Sequence, residues 1–394
     1  MRLRTRTVLV AAVATAGAAV AALRGQTPSA TVTARNPLDL ARPGETLVIG
    51  AGELRSALGV DDLRRVHVAA HDGTELLAQA VDENDDGRFD QVVFQADFAP
   101  GQSRTFTLAV GARQTYTREQ FKAYGRFVRE RRDDFAWEND RTAHRMYGAA
   151  LETWAQEPLT SSAVDVWFKR TPRLVINDWY MVDDYHRDHG EGADLYSAGK
   201  SRGCGGSGIW DGGRLHPSAN FRESRVLANG PIRVMFELTY AAWDVAGRSV
   251  SEVKRITLDA GQSLSRFESR YGTAPGRALH HAAGIKLHPQ GSKAFSKADG
   301  ILRTWEPVKD NGAFGCGIVA DPAILVDAPE ADGNALVVTS VSAEGTAVHY
   351  AGAAWDRGGH IGDEPAWGRY LEAAARRLRA PVQVAVAVPG GSAR

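Results

Sequence analysis

At 394 residues, 43% hydrophobic and 24% charged, the chain has the make-up of a soluble globular protein with more than one folding unit. Its 47 basic residues are balanced by 47 acidic ones, which excludes the basic footprint of a nucleic-acid binder. Two cysteines without a CxxC partner exclude a zinc site made of thiolates.

The N-terminus reads as an export signal. Arg2, Arg4 and Arg6 precede an Ala/Val/Leu-rich run without charges from Val8 to Leu23, and small residues follow from Thr27 to Ala30. Charged, apolar, then small is the order of a secretory signal peptide, placed here over residues 1–30. The run is shorter than the roughly 20 residues that span a bilayer, and no cysteine follows it. The expected location is therefore periplasmic or extracellular, with no membrane attachment after cleavage.

From 31 to 112, short strands alternate with turn signals: Thr46 to Ile49, Arg65 to Ala70, Gln91 to Gln95 and Arg104 to Val110. Their period of two predicts a small N-terminal β-sandwich. A linking helix is expected within 113–138. Thr117 and Gln120 have capping-box spacing, and Phe121, Tyr124 and Val128 share a helical face. Residues 139–394 return to β, as a large antiparallel sandwich with a few helices. Pro231 to Val245 and Arg248 to Leu258 form a long hairpin, with further strands at Ser263 to Tyr271, Ala335 to Val341 and Ala347 to Ala351. Trp367, Tyr370, Leu371, Ala374 and Leu378 keep helical spacing until Pro381, and valines at 382, 384, 386 and 388 mark a last strand. The chain is expected to be mostly β.

Three stretches have the residue types that carry chemistry. Asp82, Asn84 and Asp86 alternate before Gly87 and Asp90, like the first half of a calcium loop, but Val93 stands where its final glutamate belongs. This is either a structural calcium site or an acidic turn in water, and no other cofactor is expected. The densest polar segment runs from Asn177 to Trp210 and shows neither helical nor strand periodicity. A long irregular segment rich in rings and charges reads as a functional loop. It holds His186 and His189 beside Asp183, Asp184 and Asp188, then Glu191, Asp194, Tyr196, Lys200 and Arg202, with Trp179, Tyr185 and Trp210 as candidate stacking surfaces. Acid–base chemistry by the histidines is favoured over metal ligation. In the third stretch, Arg145 and Tyr147 alternate with His144 and Met146, so a strand sends the two pairs to opposite faces. Cys204 and Cys316 either pair as a disulfide or sit singly in glycine turns. There is no GxSxG, and Gly203 to Gly208 lacks the strand and helix of a nucleotide loop.

Arg145 to Gly148, Tyr185-His186 with His189 to Gly192, and Arg202 to Trp210 resemble the bacterial domain-of-unknown-function 4861 family. Asn229 to Tyr240, Trp305 to Pro307 and Gly352 to Trp355 fit it too, so the resemblance covers most of the mature chain. His144 departs from the family's apolar preference there. Members of that family accompany enzymes that degrade plant and algal polysaccharides. The resemblance implies a large supersandwich of galactose-mutarotase type and lyase or dehydratase chemistry on uronic-acid oligosaccharides.

Applied to these residues, β-elimination needs a cation against the uronate carboxylate, a base for the C5 proton and an acid for the leaving oxygen. Arg145 and Arg202 are the candidate cations, His189 or His186 the base, and Tyr196 or Tyr147 the acid. Lys200, Tyr185, Trp179 and Trp210 would bind the acidic oligosaccharide. The alternatives are a hydrolase that pairs Glu191 with Asp194 and a non-catalytic sugar-binding protein.

Overall fold

The computed structural model describes residues 28–387, apart from 157, 183 and 274–277. The expected leader lies almost wholly outside the described residues, as do Asp183 and Val388. Ser29 and Ala30, assigned above to the leader, already belong to the first strand, Ser29–Arg35. Among the described residues no helix is long and apolar enough to cross a membrane.

The chain is built from antiparallel sheets. The N-terminal sandwich stacks two of them. One has the order Gln383–Ala387, Ser29–Arg35, Ser103–Val110, Val66–Ala70, Glu75–Leu76; the other Arg42–Gly50, Gln91–Phe98, Ala78–Val81. Inward residues of both faces, Val32, Ile49, Val68, Phe94 and Phe106, close its core. The C-terminal strand Gln383–Ala387 pairs with Ser29–Arg35, so the boundary expected at 139–394 is corrected. Val382, Val384 and Val386 pack on the N-terminal core rather than on the large sandwich.

The expected helix at 113–138 is also corrected. Thr117 and Gln120 do form a capping box, but only on the single 3₁₀ turn Arg118–Gln120. Strands Ala123–Val128 and Asp134–Asn139 follow and pair with each other. Pairing with Asp134–Asn139 overrides the helical spacing, and Gly125 lets the strand approach closely, since a Cβ there would lie 3.1 Å from both Trp137 and Val234. Arg132 and Asp133, at φ 41° and 60°, turn the hairpin.

The large sandwich has an eight-stranded sheet running from Phe221–Ala228 to Ser292–Ser296. Two smaller sheets pack against it around one core containing Phe135, Trp137, Phe236, Phe267, Phe314 and Trp355. One smaller sheet has Cys204–Asp211, His280–Lys286 and Asn334–Ser340 at its centre. The other has the order Gly192–Ala193, Asp165–Lys169, Thr142–Tyr147, Asp134–Asn139, Ala123–Val128 and carries the site described below. Cys204 and Cys316 form a disulfide, Cα to Cα 5.5 Å, that ties one smaller sheet to the eight-stranded one. Helix Glu364–Arg379, capped by Asp363 through the Ala366 amide at 2.7 Å, covers the far end of that sheet.

Candidate functional site

The register of the site sheet assembles the charges. Arg145 stands directly across from Asp165, and Tyr147 across from Asp134. Alternation then puts all four on one face. Every residue of Thr142–Tyr147 and of Asp165–Lys169 is buried, so these charges have to satisfy one another. Arg145 does most of this. Its Nε donates to Asp165 Oδ2 at 2.8 Å, its Nη2 to Asp194 Oδ2 at 2.8 Å and its Nη1 to Asp134 Oδ2 at 3.4 Å. Tyr147 donates to Asp165 Oδ2 at 2.9 Å and Tyr180 to Asp134 Oδ2 at 3.0 Å.

Asp194 arrives from the polar segment. Gly192 pairs with Lys169 at the sheet edge; its φ is +117° and a Cβ would meet the Phe168 carbonyl at 1.9 Å, so only glycine admits this pairing. The next turn brings in Asp194, Leu195 and Tyr196. Arg145, Tyr147, Asp165, His186, Asp194 and Tyr196 then line a pocket of about 390 Å³. Two buried polar atoms of its lining residues, Asp194 Oδ1 and Tyr196 Oη, have no partner. Such atoms are costly unless a ligand or water meets them.

Protonation follows from burial. Desolvation drives the Asp194 carboxyl well above its usual range; the neighbouring Asp165 adds to this and Arg145 opposes it. Burial likewise moves Asp134 to about 6, against the pull of Arg145 and Arg131. Burial also raises the Tyr147 and Tyr196 phenols, with Asp165 adding to it for both and Glu306 for Tyr196. Burial alone would disfavour the Arg145 cation, but its three carboxylates more than offset it. The pocket therefore surrounds a fixed cation with a carboxyl and phenols whose protonated forms burial favours.

Of the twelve catalytic and binding residues expected from the sequence, the fold gathers Arg145, Tyr147, His186, Asp194 and Tyr196. His186 sits at the mouth with Nδ1 3.1 Å from the Asp194 carbonyl, and its side chain is 63% exposed. The others are corrected. His189 is exposed and hydrogen-bonded to Asp184 at 2.8 Å, away from the pocket wall. Glu191 is held by Arg173 at 2.8 and 3.1 Å, so it does not pair with Asp194 across a substrate. Trp179 and Tyr185 are buried rather than open stacking walls. They stack on Trp167 at 5.4 and 5.1 Å, in an aromatic pile beneath Arg145. Arg202 is buried elsewhere, donating to Ser162 Oγ at 3.1 Å and the Ser207 carbonyl at 3.2 Å. Trp210 packs on Leu215, Ala282 and Val338. Lys200 is exposed beside Gly199, outside the lining.

Asp165, Asp134 and Tyr180 were not anticipated. The signal available for the two aspartates was a carboxylate inside an apolar strand, as in Val164-Asp165-Val166-Trp167 and Asp134-Phe135-Ala136-Trp137. A charge there needs a buried partner.

In the acidic turn, Asp82 Oδ1 accepts from the amides of Asn84 and Asp85 at 3.1 and 2.7 Å, and Oδ2 from Gly87 at 2.9 Å. Burial pushes the Asp82 carboxyl up, but these amides prevail and hold it below the usual range. Asn84, Asp86 and Asp90 similarly accept from Asp86, Arg88 and Glu83 amides. The carbonyls of Glu83 and Asn84 receive Arg255 and Arg225 of the eight-stranded sheet at 2.8 and 3.1 Å, so the turn joins the two sandwiches. Among the described residues no group of three or more His, Cys, Asp or Glu is arranged to hold a metal.

Comparison with known proteins agrees with this architecture. A solved α-mannosidase from Enterococcus faecalis V583 matches 93% of this chain with a TM-score of 0.52 at 11% identity. A glycosyl hydrolase family 38 protein from Enterococcus faecalis matches 91% with a TM-score of 0.51, also at 11% identity. The chain spans 47% of each of those structures, and likeness at this identity concerns the fold. An uncharacterized protein, P7, of Formosa agariphila is 31% identical over 373 residues, covering 90% of this chain and 93% of P7. A family model described as domain of unknown function DUF4861 matches residues 34–384. On the breadth of these two matches, the chain belongs to the DUF4861 family.

Proposed function

We propose that the chain is an exported carbohydrate-active enzyme that breaks a sugar C–O bond by proton transfer in the Asp165–Asp194 pocket, and that it does so by hydrolysis. The supporting observation is that two carboxyl groups meet on one edge of the Arg145 guanidinium while Asp194, which lines the pocket, keeps its Oδ1 unbonded. A neutral carboxylic acid beside a second carboxyl is the equipment of glycoside hydrolysis. In this reading Asp194 protonates the leaving oxygen, Asp165 faces the sugar from beside it, and Tyr147 and Tyr196 bind hydroxyls. The Cys204–Cys316 disulfide fits an oxidising compartment and, with the leader-like N-terminus, supports export.

Elimination on a uronic acid is the second reading, favoured by the unbonded Tyr196 hydroxyl in a pocket that His186 also lines. It is the weaker one because all three nitrogens of Arg145 already serve carboxylates. Among the described residues lining the pocket, the Arg145 charge is thus already shared by three carboxyl groups before a substrate carboxylate arrives.

One experiment separates these. Neutral and uronic oligosaccharides are incubated with the enzyme in ¹⁸O-water and the products weighed. Hydrolysis puts the label in the new reducing end, whereas elimination gives an unlabelled, ultraviolet-absorbing unsaturated sugar. Asp194→Asn should cut turnover by about a hundredfold or more, the usual worth of a general acid. Glycan binding without any product across the panel would leave a sugar-binding protein and end the enzymatic proposal.

A further inference from the structure

The Arg145 charge in the pocket above is already shared by carboxyl groups, yet a second cleft has the opposite character. It measures about 340 Å³, within the range of ligand sites, and lies where three parts of the molecule meet. Its floor is a face of the eight-stranded sheet. There Thr257 stands across from Arg266, and Arg266 across from Tyr350, on three adjacent strands. One wall is Glu45 and Thr46 of the N-terminal sandwich, and the other is the helix Glu364–Arg379 with Tyr370 and Arg377.

Charge is distributed unevenly in it. Arg233 is matched by Asp259 in a two-pronged pair at 2.7 and 2.8 Å. Glu45 is spoken for by Arg42 at 2.8 Å. Arg266 holds Glu268 through Nη2 at 2.7 Å, which leaves its other N–H groups unspent. Arg377 makes no ion pair among the described residues and lies over the Tyr370 ring at 5.9 Å. Three arginines therefore line the cleft against two carboxylates. The two tyrosines, half-buried, pack on the same cluster of Trp367, Leu371 and Leu264, so their rings are fixed. The Tyr370 hydroxyl is further tied down by the Ser263 amide at 2.8 Å.

Rigid rings beside guanidinium groups with open N–H donors suit a sugar that carries an anionic group. Tyr370 is itself stacked on Trp367 at 5.5 Å, with Arg377 over it, so the Tyr350 ring and the edge of Tyr370 pack against the pyranose, while the planar forks take a carboxylate or sulfate in two-pronged contact. We infer that this cleft between the two sandwiches and the C-terminal helix is a second glycan-binding site, selective for anionic sugar units, that holds a chain whose cleavage takes place elsewhere. It assigns the acidity expected of the substrate to a holding site rather than to the carboxyl pocket. The inference does not depend on which reaction occurs at Asp194.

The test is calorimetric titration of the full chain with three six-unit probes: an oligogalacturonate, a sulfated galactan oligomer and the same galactan without sulfate. An anionic probe should bind at least about tenfold more tightly than the uncharged one, the worth of one charge-assisted contact. Whether the uronate or the sulfate binds better identifies the anionic group. Arg377→Ala, on a half-exposed helix position, should lower that affinity by about tenfold, and Arg377→Glu by more. Asp194→Asn should leave it unchanged. Equal affinity for charged and uncharged probes, no binding of either anionic probe, or affinity that survives both Arg377 variants would each overturn the inference. So would loss of binding in Asp194→Asn, because the probe would then be in the carboxyl pocket.

Discussion

Two buried polar regions of the large sandwich handle ionisable groups in opposite ways. Around Arg145, three carboxyl groups crowd one cation and the cluster opens on a pocket. Between the sheets, Tyr271, His281 and His349 form a line with no net charge to neutralise. The Tyr271 hydroxyl meets His281 Nδ1 at 2.7 Å, His281 Nε2 meets His349 Nδ1 at 3.0 Å, and His349 Nε2 meets the Gly205 carbonyl at 3.0 Å. The carbonyl can only accept, so His349 Nε2 carries a proton, and every donor along the line then points the same way with both rings neutral. A further proton on His349 would put two N–H groups face to face. The difference teaches that burial alone does not mark a site: the closed line is fully satisfied, whereas the open cluster leaves Asp194 Oδ1 and Tyr196 Oη unmet.

Removing the cation should break the comparison most severely. Arg145→Met strands three buried carboxyls, and losing one partner of a buried ion cluster costs about 3–5 kcal/mol. Urea unfolding should show a loss of this size, with Arg145→Lys retaining part of the stability. A loss under about 1 kcal/mol, as for an exposed pair, would mean that the cluster does not hold the sheet together.

The two regions should also respond to pH with opposite signs. Burial, helped by the Lys254 charge and opposed by the Gly205 carbonyl, depresses His349 to about 3, so the unfolded chain takes up a proton before the folded one. Stability is then fully present above pH 6.5 and lost as pH falls toward 3, by on the order of 5 kcal/mol from this residue. His349→Gln, which keeps a donor and an acceptor, should flatten that limb. Asp134 behaves in reverse. Its carboxyl is raised to about 6 by burial, so the folded state holds a proton that the unfolded state releases above its own pKa near 4. Stability is lost as pH rises from about 4 to about 6, by about 3 kcal/mol, and Asp134→Asn should remove that loss. Urea midpoints at half-unit pH steps separate the two limbs. If both variants changed the same limb, the assignment of opposite protonation states would be wrong.

The sequence made the sheets legible where one face is buried, as in Arg248–Asp259, whose burial alternates along nearly its whole length. It misled at Ala123–Val128, because Phe121, Tyr124 and Val128 have a helical spacing that the strand pairing overrides. It located the segment that delivers Asp194 and Tyr196 because a polar run without periodicity stands out from a β background. It gave less about which side chains turn inward. Trp179 and Tyr185 have the same residue types as an open sugar platform, and only their packing on Trp167 shows that they support Arg145 from below. Asp165 was hidden by its own setting, since a strand of Val, Trp and Phe reads as core unless its single charge is asked for a partner.

The smallest expected effect is the most discriminating for the boundary of the site. His189 and Asp184 are paired at 2.8 Å with side chains 56% and 53% exposed, and such pairs contribute about 0–1 kcal/mol. His189→Ala should therefore shift the urea midpoint hardly at all. Because it lines no part of the pocket, it should change turnover by no more than about twofold, equivalent to roughly 0.4 kcal/mol of barrier. His186→Ala, at the mouth, is the matched control, since it removes an imidazole of similar exposure that does face the pocket. If His189→Ala abolished turnover with stability intact and His186→Ala did not, the 186–191 loop would have to swing over the bound sugar. The base would then come from that loop, and the elimination chemistry set aside because carboxyl groups already share the Arg145 charge would return as the better account of this pocket.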